Sequence, residues 1–359
     1  MRTAVVILNW NTRHFLSRFL PTLIDSVRGT DAEIIVADNG STDASVELLR
    51  EEFPELRCIA LAENLGFTGG YNKAIAQLLA DPAGRPEYIL LINSDIELEP
   101  GWLEPLVDYM DKHPDCGVCG PKLHALEADG PVYTKSQRFE YAGAAGGYLD
   151  RYGFPFCRGR VLGLTETDCG QYGDSDSLMW VSGACLMTRS SLWERLGGLD
   201  SRFFAHMEEI DYCWRAQLCG YSIACVTQSC VYHLGGGTLP NSSVFKLKLN
   251  YRNSLLMLEK NLAPTIGKAG AERLLKRRMF IDRLTSIAYL LTGSKEKYKA
   301  VLDAHEEFRQ MRSTGDKSPA TGAQVRGIAG FSIIVQYALR GKRIFKYLRR
   351  YEDNNPRCR

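Results

Sequence analysis

An apolar run, Tyr88 to Ile92, ends abruptly in Asn93, Ser94 and Asp95 before the chain turns acidic and loop-like. A strand this apolar can be covered on both faces, as in a parallel sheet, and ligands of such sheets gather outside the carboxyl ends of the strands. Asp95 is therefore expected where an α/β sheet does its chemistry. Three earlier strand-like segments also end in polar residues: Asn9 and Asn11; Asp38, Asn39, Ser41 and Asp43; and Asn64. Four polar tips along one edge define a crevice. Helix capping competes with that reading, because Asn, Asp, Ser and Thr are the favoured N-cap residues. Capping is the better account of Ser41, Thr42 and Asp43. It is weaker for Asp38, which directly ends its strand, where a carboxylate is costly unless solvated or paired. A second group of acids, Glu208, Glu209 and Asp211 in "HMEEIDYCWR", crowds a loop-to-helix junction. Such acids can simply face the positive end of the helix, or one of them can take a proton from a reacting hydroxyl. His233, read alone, is a satisfied core histidine at a strand end.

The elements that carry these residues alternate. Residues 3–10 form a short apolar strand, and 12–27 follow with Phe15, Phe19, Leu20 and Leu23 at helical spacing. Residues 32–53 repeat strand, polar turn and helix, the helix capped by Ser41 or Thr42, and 56–80 do so again before the strand 88–95. Strand–helix alternation implies a mostly parallel sheet with right-handed crossovers. Residues 100–114 are helical. Residues 128–180, rich in Gly, Tyr, Asp and Ser, read as loops and short strands. Order returns as strand, turn and helix over 181–200, a helix over 210–220 stopped by Gly220, and a strand up to His233. The stretch 241–312 is mainly helical, 312–327 has linker composition, and 331–350 mixes apolar and basic residues like an interfacial helix.

With 45% apolar and 24% charged residues the chain is an ordinary globular protein. Its net charge of +2 conceals an asymmetry. Residues 1–240 carry 19 Lys+Arg against 32 Asp+Glu, or 19 − 32 = −13, and residues 241–359 carry 25 against 10, or 25 − 10 = +15. An acidic working domain is thus joined to a basic C-terminal third that meets an anionic surface or packs on the acidic part. That third shows no stacking-aromatic motif or groove-reading module, which argues against nucleic acid. The eleven cysteines are scattered through apolar segments, as expected of buried thiols in a reducing compartment. Cys116 and Cys119 form a lone C-x-x-C, which reads as part of a strand rather than a zinc site. No charged-then-apolar leader opens the sequence and no run of eighteen apolar residues occurs, so the expectation is a cytoplasmic protein without a spanning helix. A nicotinamide-dependent enzyme would carry G-x-G-x-x-G after the first strand, where this chain has "NWNTRHF". Its glycine cluster "GFTGGYN" (66–72), with Gly66 and Asn72, lies at the third turn and permits close backbone approach to a ligand.

The segments "VVILNWN", "EIIVADNGSTD", "ENLGFTGGYNKAI", "YILLINSDIELEPGWL", "VSGACLMTRSSLWERLGGLDSRFFAHMEEIDYCWRAQLCGY", "VYHLGGGT" and "NYRNSLLMLEKN" follow one another as in family 2 glycosyltransferases. The chain resembles that family over residues 3–261, and within it the bacterial rhamnosyltransferase-like members. The resemblance implies the A-type glycosyltransferase fold, with a mostly parallel, Rossmann-like central sheet flanked by helices and followed here by a helical, basic C-terminal extension. It also implies a nucleotide-activated sugar donor and inversion at the anomeric carbon.

Carried over residue by residue, the resemblance places Asp38 at the base or ribose and Asn64 near the ribose and phosphates. Asn9, Gly66, Asn72 and Asn93 fall in the same donor-binding motifs. Asp95 matches the last acid of the family's D-x-D element, which stands here as Asn93-Ser94-Asp95, so one carboxylate of that element is missing. His233 in "H-x-x-G" makes up the shortfall as a further metal ligand. A departing nucleoside diphosphate accumulates negative charge that a divalent cation offsets. One Asp, one neutral His, phosphate oxygens and waters suit Mg²⁺ or Mn²⁺, the imidazole favouring Mn²⁺ somewhat. The general base aligns with Glu209, Glu208 and Asp211 remaining alternatives. Arg252 and Asn253 in "NYRN" are either structural partners on a helix or line the cleft, where Arg252 would clamp pyrophosphate.

These readings divide the chain into a catalytic domain (1–240), a helical extension (241–312), a linker (313–330) and a basic amphipathic tail (331–359). They assign transfer to a saccharide or lipid-linked acceptor in surface polysaccharide synthesis. The depleted D-x-D element leaves an inert nucleotide- or sugar-binding module on the same fold as the rival. The six cations among apolar side chains over 331–350 suggest peripheral contact with anionic lipid at the inner face of the cell membrane, against the alternative that the tail packs on the acidic domain.

Overall fold

The computed structural model describes residues 1–81, 85–130, 132–235, 243–312 and 324–354. Strands and helices alternate first: β1 (Thr3–Asn9), α1 (Arg13–Ser26), β2 (Ala32–Asp38), α2 (Ser45–Glu52), β3 (Arg57–Ala60), α3 (Gly66–Leu79) and β4 (Tyr88–Asn93). Then come β5 (Ile96–Glu97), α4 (Glu104–Lys112), β6 (Cys116–Asp129) and β7 (Val132–Phe139). Four short strands, β8 (Gly147–Leu149), β9 (Pro155–Cys157), β10 (Arg160–Val161) and β11 (Leu164–Thr165), form a small sheet of their own. The sheet-bearing part of the chain closes with β12 (Cys185–Arg189), α5 (Ser190–Leu196), α6 (Glu208–Leu218) and β13 (Ser222–His233). Beyond it lie α7 (Val244–Ile266), α8 (Lys268–Leu291), α9 (Lys295–Met311), α10 (Ile333–Arg340) and α11 (Ile344–Asn354).

The main sheet runs β3-β2-β1-β4-β12-β6-β13-β5, with β7 paired to β6. β3, β2, β1 and β4 are mutually parallel, as the alternating pattern requires, and β6 runs parallel to β13. β12 is inserted antiparallel between β4 and β6. The chain leaves β1 for β2 and β3 on one side and returns to β4 on the other, so the crevice of a doubly wound sheet opens at the ends of β1 and β4. Within β1, Val5 and Ile7 face Leu16, Leu20 and Leu48 of α1 and α2, whereas Ala4 and Val6 face Tyr71, Ile75 and Leu78 of α3. The period-2 alternation of a strand sends both sets inward, because helices cover both faces.

Three sequence expectations change here. Ser41 and Thr42 do not cap α2, whose N-cap is Ala44 in a left-handed conformation. Instead Ser41 Oγ accepts from the Asn11 backbone N–H at 2.9 Å, and Asn11 Oδ1 accepts from the Thr42 N–H at 2.7 Å. The caps are thus used to brace one strand tip against the next. Of the linker, 313–323 lies outside the described residues. The remainder is pinned, since the Leu149 N–H donates to Gly327 O, the Ala329 N–H to Leu149 O, and the Arg326 N–H to Gln217 Oε1. The tail packs on the sheet-bearing part through buried Ile333, Ile344, Phe345 and Leu348. Two ion pairs fasten it, Arg349 to Glu166 at 2.6 Å and Glu352 to the buried Arg158 at 3.4 Å. Arg349 and Glu352 therefore serve packing, as the alternative to lipid contact anticipated, while Lys342 and Arg343 remain exposed. Cys116 and Cys119 are buried within β6, where burial pushes both thiols up, as the strand reading of that C-x-x-C anticipates.

Candidate active site

Strand register brings the first polar tips together. Asn9 pairs with Asp38 across β1 and β2, and Leu8 pairs with Asn93 across β1 and β4. Asn9 Nδ2 donates to Asp38 Oδ2 at 2.8 Å, and Asp38 Oδ1 accepts from the Ser41 N–H at 2.9 Å. Asn9 is wholly buried and works as a strut that aims Asp38. Asn64 Oδ1 accepts from Asn39 Nδ2 and from the Gly66 N–H, at 3.0 and 2.8 Å. It is half-buried and stands beyond the end of β3, beside Asn39 at the end of β2.

Two donor-motif residues are employed otherwise than the sequence suggested. Asn72 clamps the backbone of Leu199 with both ends of its amide, at 2.7 and 2.9 Å, and so ties α3 to the loop ahead of α6. Gly66 has φ +72°, and a Cβ there would lie 2.4 Å from the Phe204 ring. The close approach that Gly66 permits is taken by Phe204 rather than left open to a ligand.

Asp95 and His233 meet because β5 carries the chain from the tip of β4 to the far edge of the sheet. There Ile96 pairs with His233, and the Leu234 N–H donates to Asp95 O at 3.1 Å. As a result His233 Nε2 lies 3.2 Å from Asp95 Oδ1 and 3.3 Å from Asn93 Nδ2. On the other side of the ring, Nδ1 faces Glu140 Oε2 at 3.3 Å. His233, Asp95 and Glu140 are all buried. Burial pulls the imidazole down, but the carboxylates of Asp95 and Glu140 outweigh it and raise its pKa to about 10. Without a cation Asp95 and His233 thus form a carboxylate–imidazolium pair, and a metal held between Asp95 Oδ1 and His233 Nε2 would have to displace the Nε2 proton. No group of three or more His, Cys, Asp or Glu suited to a metal occurs among the described residues. A pair of protein ligands nevertheless fits Mg²⁺ or Mn²⁺, which take one or two side chains and complete their shell with substrate phosphates and water.

Glu140 escaped the sequence reading, lying at the end of β7 in the stretch read as loops. Its trace in the sequence was the glycine two residues after His233: Gly235 has φ +69°, and a Cβ there would sit 2.7 Å from Glu140 Oε1.

The three acids at the start of α6 separate by environment. Asp211 is wholly buried, with Oδ2 accepting from Arg215 Nε at 2.7 Å and Oδ1 from Asn261 Nδ2 at 2.7 Å. With both oxygens held it is a structural ion pair, and it drops out as a base. Glu208 and Glu209 each keep one buried carboxylate oxygen, Oε2, without a hydrogen-bond partner among the described residues. Glu208 is the more deeply buried, and burial with the neighbouring Glu209 charge holds its pKa well above the carboxylate range. Glu209 is half-buried, packs against Gly183 one residue from Ala184, and its pKa is pushed up to about 7 by burial. Ala184 O in turn accepts the Asn93 N–H at 2.9 Å, so Glu209 and Asn93 flank one short segment. A carboxylate near neutrality with a free oxygen is suited to general-base work.

The loop that delivers these acids is strained. Phe204, His206 and Met207 have φ of 63°, 71° and 74°, a region non-glycine residues rarely adopt. The buried Asn253 amide lies 2.8–2.9 Å from the carbonyls of Phe203, Ala205 and His206. Arg252 Nη2 donates to Arg202 O and Phe203 O, Nη1 to Glu307 Oε2, and Nε to Asn253 Oδ1. The geometry favours the structural reading of "NYRN" over a pyrophosphate clamp: α7 grips the loop that carries the acids.

The model of the family described as "Glycosyl transferase family 2" matches residues 4–193. Among curated proteins, the N-acetylglucosaminyl-diphospho-decaprenol L-rhamnosyltransferase of Mycobacterium tuberculosis is 27% identical over 259 residues, covering 71% of this chain and 83% of the relative. The O-antigen biosynthesis protein RfbC of Myxococcus xanthus is 29% identical over 219 residues, covering 60% of this chain and 16% of the relative. Among solved structures, GalNAc-T7 with UDP, GalNAc and Mn²⁺ superposes with a TM-score of 0.55 at 17% identity, covering 72% of this chain and 48% of that one. The Pyrobaculum calidifontis mannosyltransferase PcManGT, in complex with GDP-Man and Mn²⁺, gives 0.50 at 12% identity, covering 87% and 88%. These likenesses agree with the sheet order in showing an A-type glycosyltransferase fold. With the family's model spanning its sheet from β1 through β12 into α5, the chain belongs to glycosyl transferase family 2.

Proposed function

We propose that the protein is a metal-dependent, inverting glycosyltransferase that moves a sugar from a nucleoside diphosphate to a saccharide or lipid-linked acceptor. A dTDP-linked rhamnose is the first donor to test, because the M. tuberculosis relative is named a rhamnosyltransferase acting on a diphospho-decaprenol. The observation that carries the reading is the pairing of Asp95 with His233 at the crevice, together with a half-buried Glu209 whose Oε2 has no partner.

In this reading Asp38, aimed by Asn9, and Asn64 hold the nucleoside. Asp95 and His233 would hold the divalent cation, with Glu140 beside Nδ1 keeping Nε2 toward it. The cation, when bound, offsets the charge that gathers on the departing diphosphate. Glu209 takes the proton from the acceptor hydroxyl as its oxygen forms a bond to the anomeric carbon. The bond from that carbon to the diphosphate breaks on the opposite face, so the configuration inverts. The product would enter a cell-surface polysaccharide or its lipid-linked precursor, made on the cytoplasmic side.

Thermal stabilisation by dTDP-rhamnose, UDP- and GDP-sugars, each with and without Mn²⁺, tests donor and metal together, because a ligand that binds only the native state raises apparent stability. Transfer of sugar to a diphospho-prenol acceptor then separates an enzyme from an inert binding module on this fold. Stabilisation without turnover of any donor would favour the module.

A further inference from the structure

Helix α8 packs on α7 and α9 through one side only. That side carries Ala271, Arg278, Asp282 and Ser286, with Arg278 Nε donating to Asp282 Oδ1 at 2.9 Å and His305 of α9 3.4 Å from Asp282 Oδ2. Among the described residues nothing covers the opposite side, which is divided along its length. Its first half presents Arg273, Lys276 and Arg277. Its second half presents Phe280, Leu284, Ile287 and Leu291, which are 62%, 51%, 48% and 82% exposed. Spacings of four, three and four residues put those four side chains in one stripe. Single exposed apolar residues are ordinary on a protein surface, but a contiguous stripe marks a contact.

We infer that this face of α8 docks the protein on the surface of a bilayer containing anionic lipid. The helix would lie in the interface, its apolar stripe in the headgroup boundary and its cations on the headgroups. No helix of the described residues is long and apolar enough to cross a membrane, so α8 lies on the bilayer rather than through it. Charge chooses this occupant. The turn beyond Leu291 leads into α9 with exposed Lys295, Lys297 and Lys299, so cations flank the stripe at both ends. A second copy of the chain fits poorly. A two-fold contact of stripe on stripe would set the basic half of α8 against its own counterpart or against apolar side chains, leaving the cations unpaired either way. An anionic bilayer meets both halves. The tail helix α10 also exposes Val335 and Leu339, but its neighbours Ile333, Ile344 and Phe345 are already buried in the sheet-bearing part. The contact is therefore assigned to α8, not to the tail. Docking concerns neither the sugar nor the acceptor, so it stands or falls apart from the transfer reaction.

The experiment is vesicle flotation of the full chain, without donor or acceptor, on phosphatidylcholine alone and mixed with phosphatidylglycerol. Wild-type protein is expected to bind the mixed vesicles and to leave them as salt rises. Leu284→Asp with Ile287→Asp is expected to lower partitioning by about tenfold or more, since a stripe with charges in it no longer enters the boundary. A separate variant, Arg273→Gln with Lys276→Gln and Arg277→Gln, touches only exposed side chains and keeps the core intact. It is expected to lose about tenfold or more on anionic vesicles alone. Val335→Asp with Leu339→Asp should bind as wild type. The inference is overturned if wild type floats with neither vesicle, if both α8 variants bind unchanged, or if only the tail variant loses binding. It is also overturned if light scattering shows a dimer that Leu284→Asp with Ile287→Asp dissociates, with no vesicle binding, for the stripe would then be a contact between copies.

Discussion

His233 Nε2 lies 3.2 Å from Asp95 Oδ1, and the contact exists only because the two-residue strand β5 pairs Ile96 with His233 at the far edge of the sheet. The turn after β4 therefore does more than end a strand, since it carries a carboxylate across to an imidazole from another part of the chain. Replacing Asp95 or His233 by Ala removes one proposed ligand from a pair. Each variant should lose Mn²⁺-dependent nucleotide affinity by about a hundredfold, at or beyond the upper end of what loss of an outer-sphere partner costs. Calorimetric titration with nucleoside diphosphate and Mn²⁺ reads it, and full Mn²⁺-supported binding by both variants would remove the metal assignment.

Glu140 stands on the other side of the imidazole, 3.3 Å from Nδ1. The contact is an ion pair without hydrogen-bond geometry, and in the proposed site the carboxylate would favour a proton on Nδ1 and leave Nε2 to the metal, the arrangement usual for metal-binding histidines. Glu140→Gln should reduce Mn²⁺ affinity about 10- to 100-fold, with nucleotide binding in the absence of metal unchanged. Equal loss with and without Mn²⁺ would make Glu140 a structural residue of the pocket.

Glu209 and Asp211 lie two positions apart, and their substitution should separate chemistry from stability. Glu209→Gln should slow transfer about a hundredfold or more while sparing donor affinity. Asp211→Asn breaks a buried ion pair with Arg215 and should instead destabilise the fold, by about 3–5 kcal/mol if the pair is lost outright. Chemical denaturation and steady-state kinetics on both variants distinguish the two effects. The reverse pattern would move the base away from Glu209.

Burial raises the Glu209 pKa to about 7. Below that pH the carboxyl keeps its proton and cannot serve as a base. The expected kcat/KM profile for wild type therefore rises with pH through a limb near 7 and levels off above it, and Glu209→Gln should lack that limb. A limb that survives the substitution belongs to another group.

Asn253 holds three carbonyls of the strained loop ahead of Glu208 and Glu209. Asn253→Ala takes the amide donor from Ala205 O and His206 O, while Phe203 O keeps Arg252 Nη2, and the loss costs about 1–3 kcal/mol. Thermal melting should show the loss, and kcat should fall more than donor affinity, since the loop positions the acids rather than the nucleotide. Unchanged kcat in a destabilised variant would confine Asn253 to stability.

The sequence alone was enough for the alternating strands and helices, the polar tips Asn9, Asp38, Asn64 and Asp95, and the acidic entry to α6. Those features are local, carried by periodicity, by caps and by residues adjacent in the chain. It also supported the family, because ordered motifs survive without any knowledge of contacts. Tertiary structure decided the rest, and in each case the reason is a partner distant in sequence. Asp211 looked as eligible as Glu209 until Arg215 and Asn261 were seen to hold both its oxygens. Asn72 and Gly66, in a motif suited to ligand approach, face Leu199 and Phe204 instead. Glu140 had no motif around it and gained its place only when β7, at the sheet edge, ended beside His233. The tail's amphipathic composition fitted two surfaces, and only the fold showed that a complementary apolar face and the buried Arg158 receive Ile333, Ile344, Phe345, Leu348 and Glu352. Residue type and spacing set what a side chain can do, and burial with its partners selects which of those things it does.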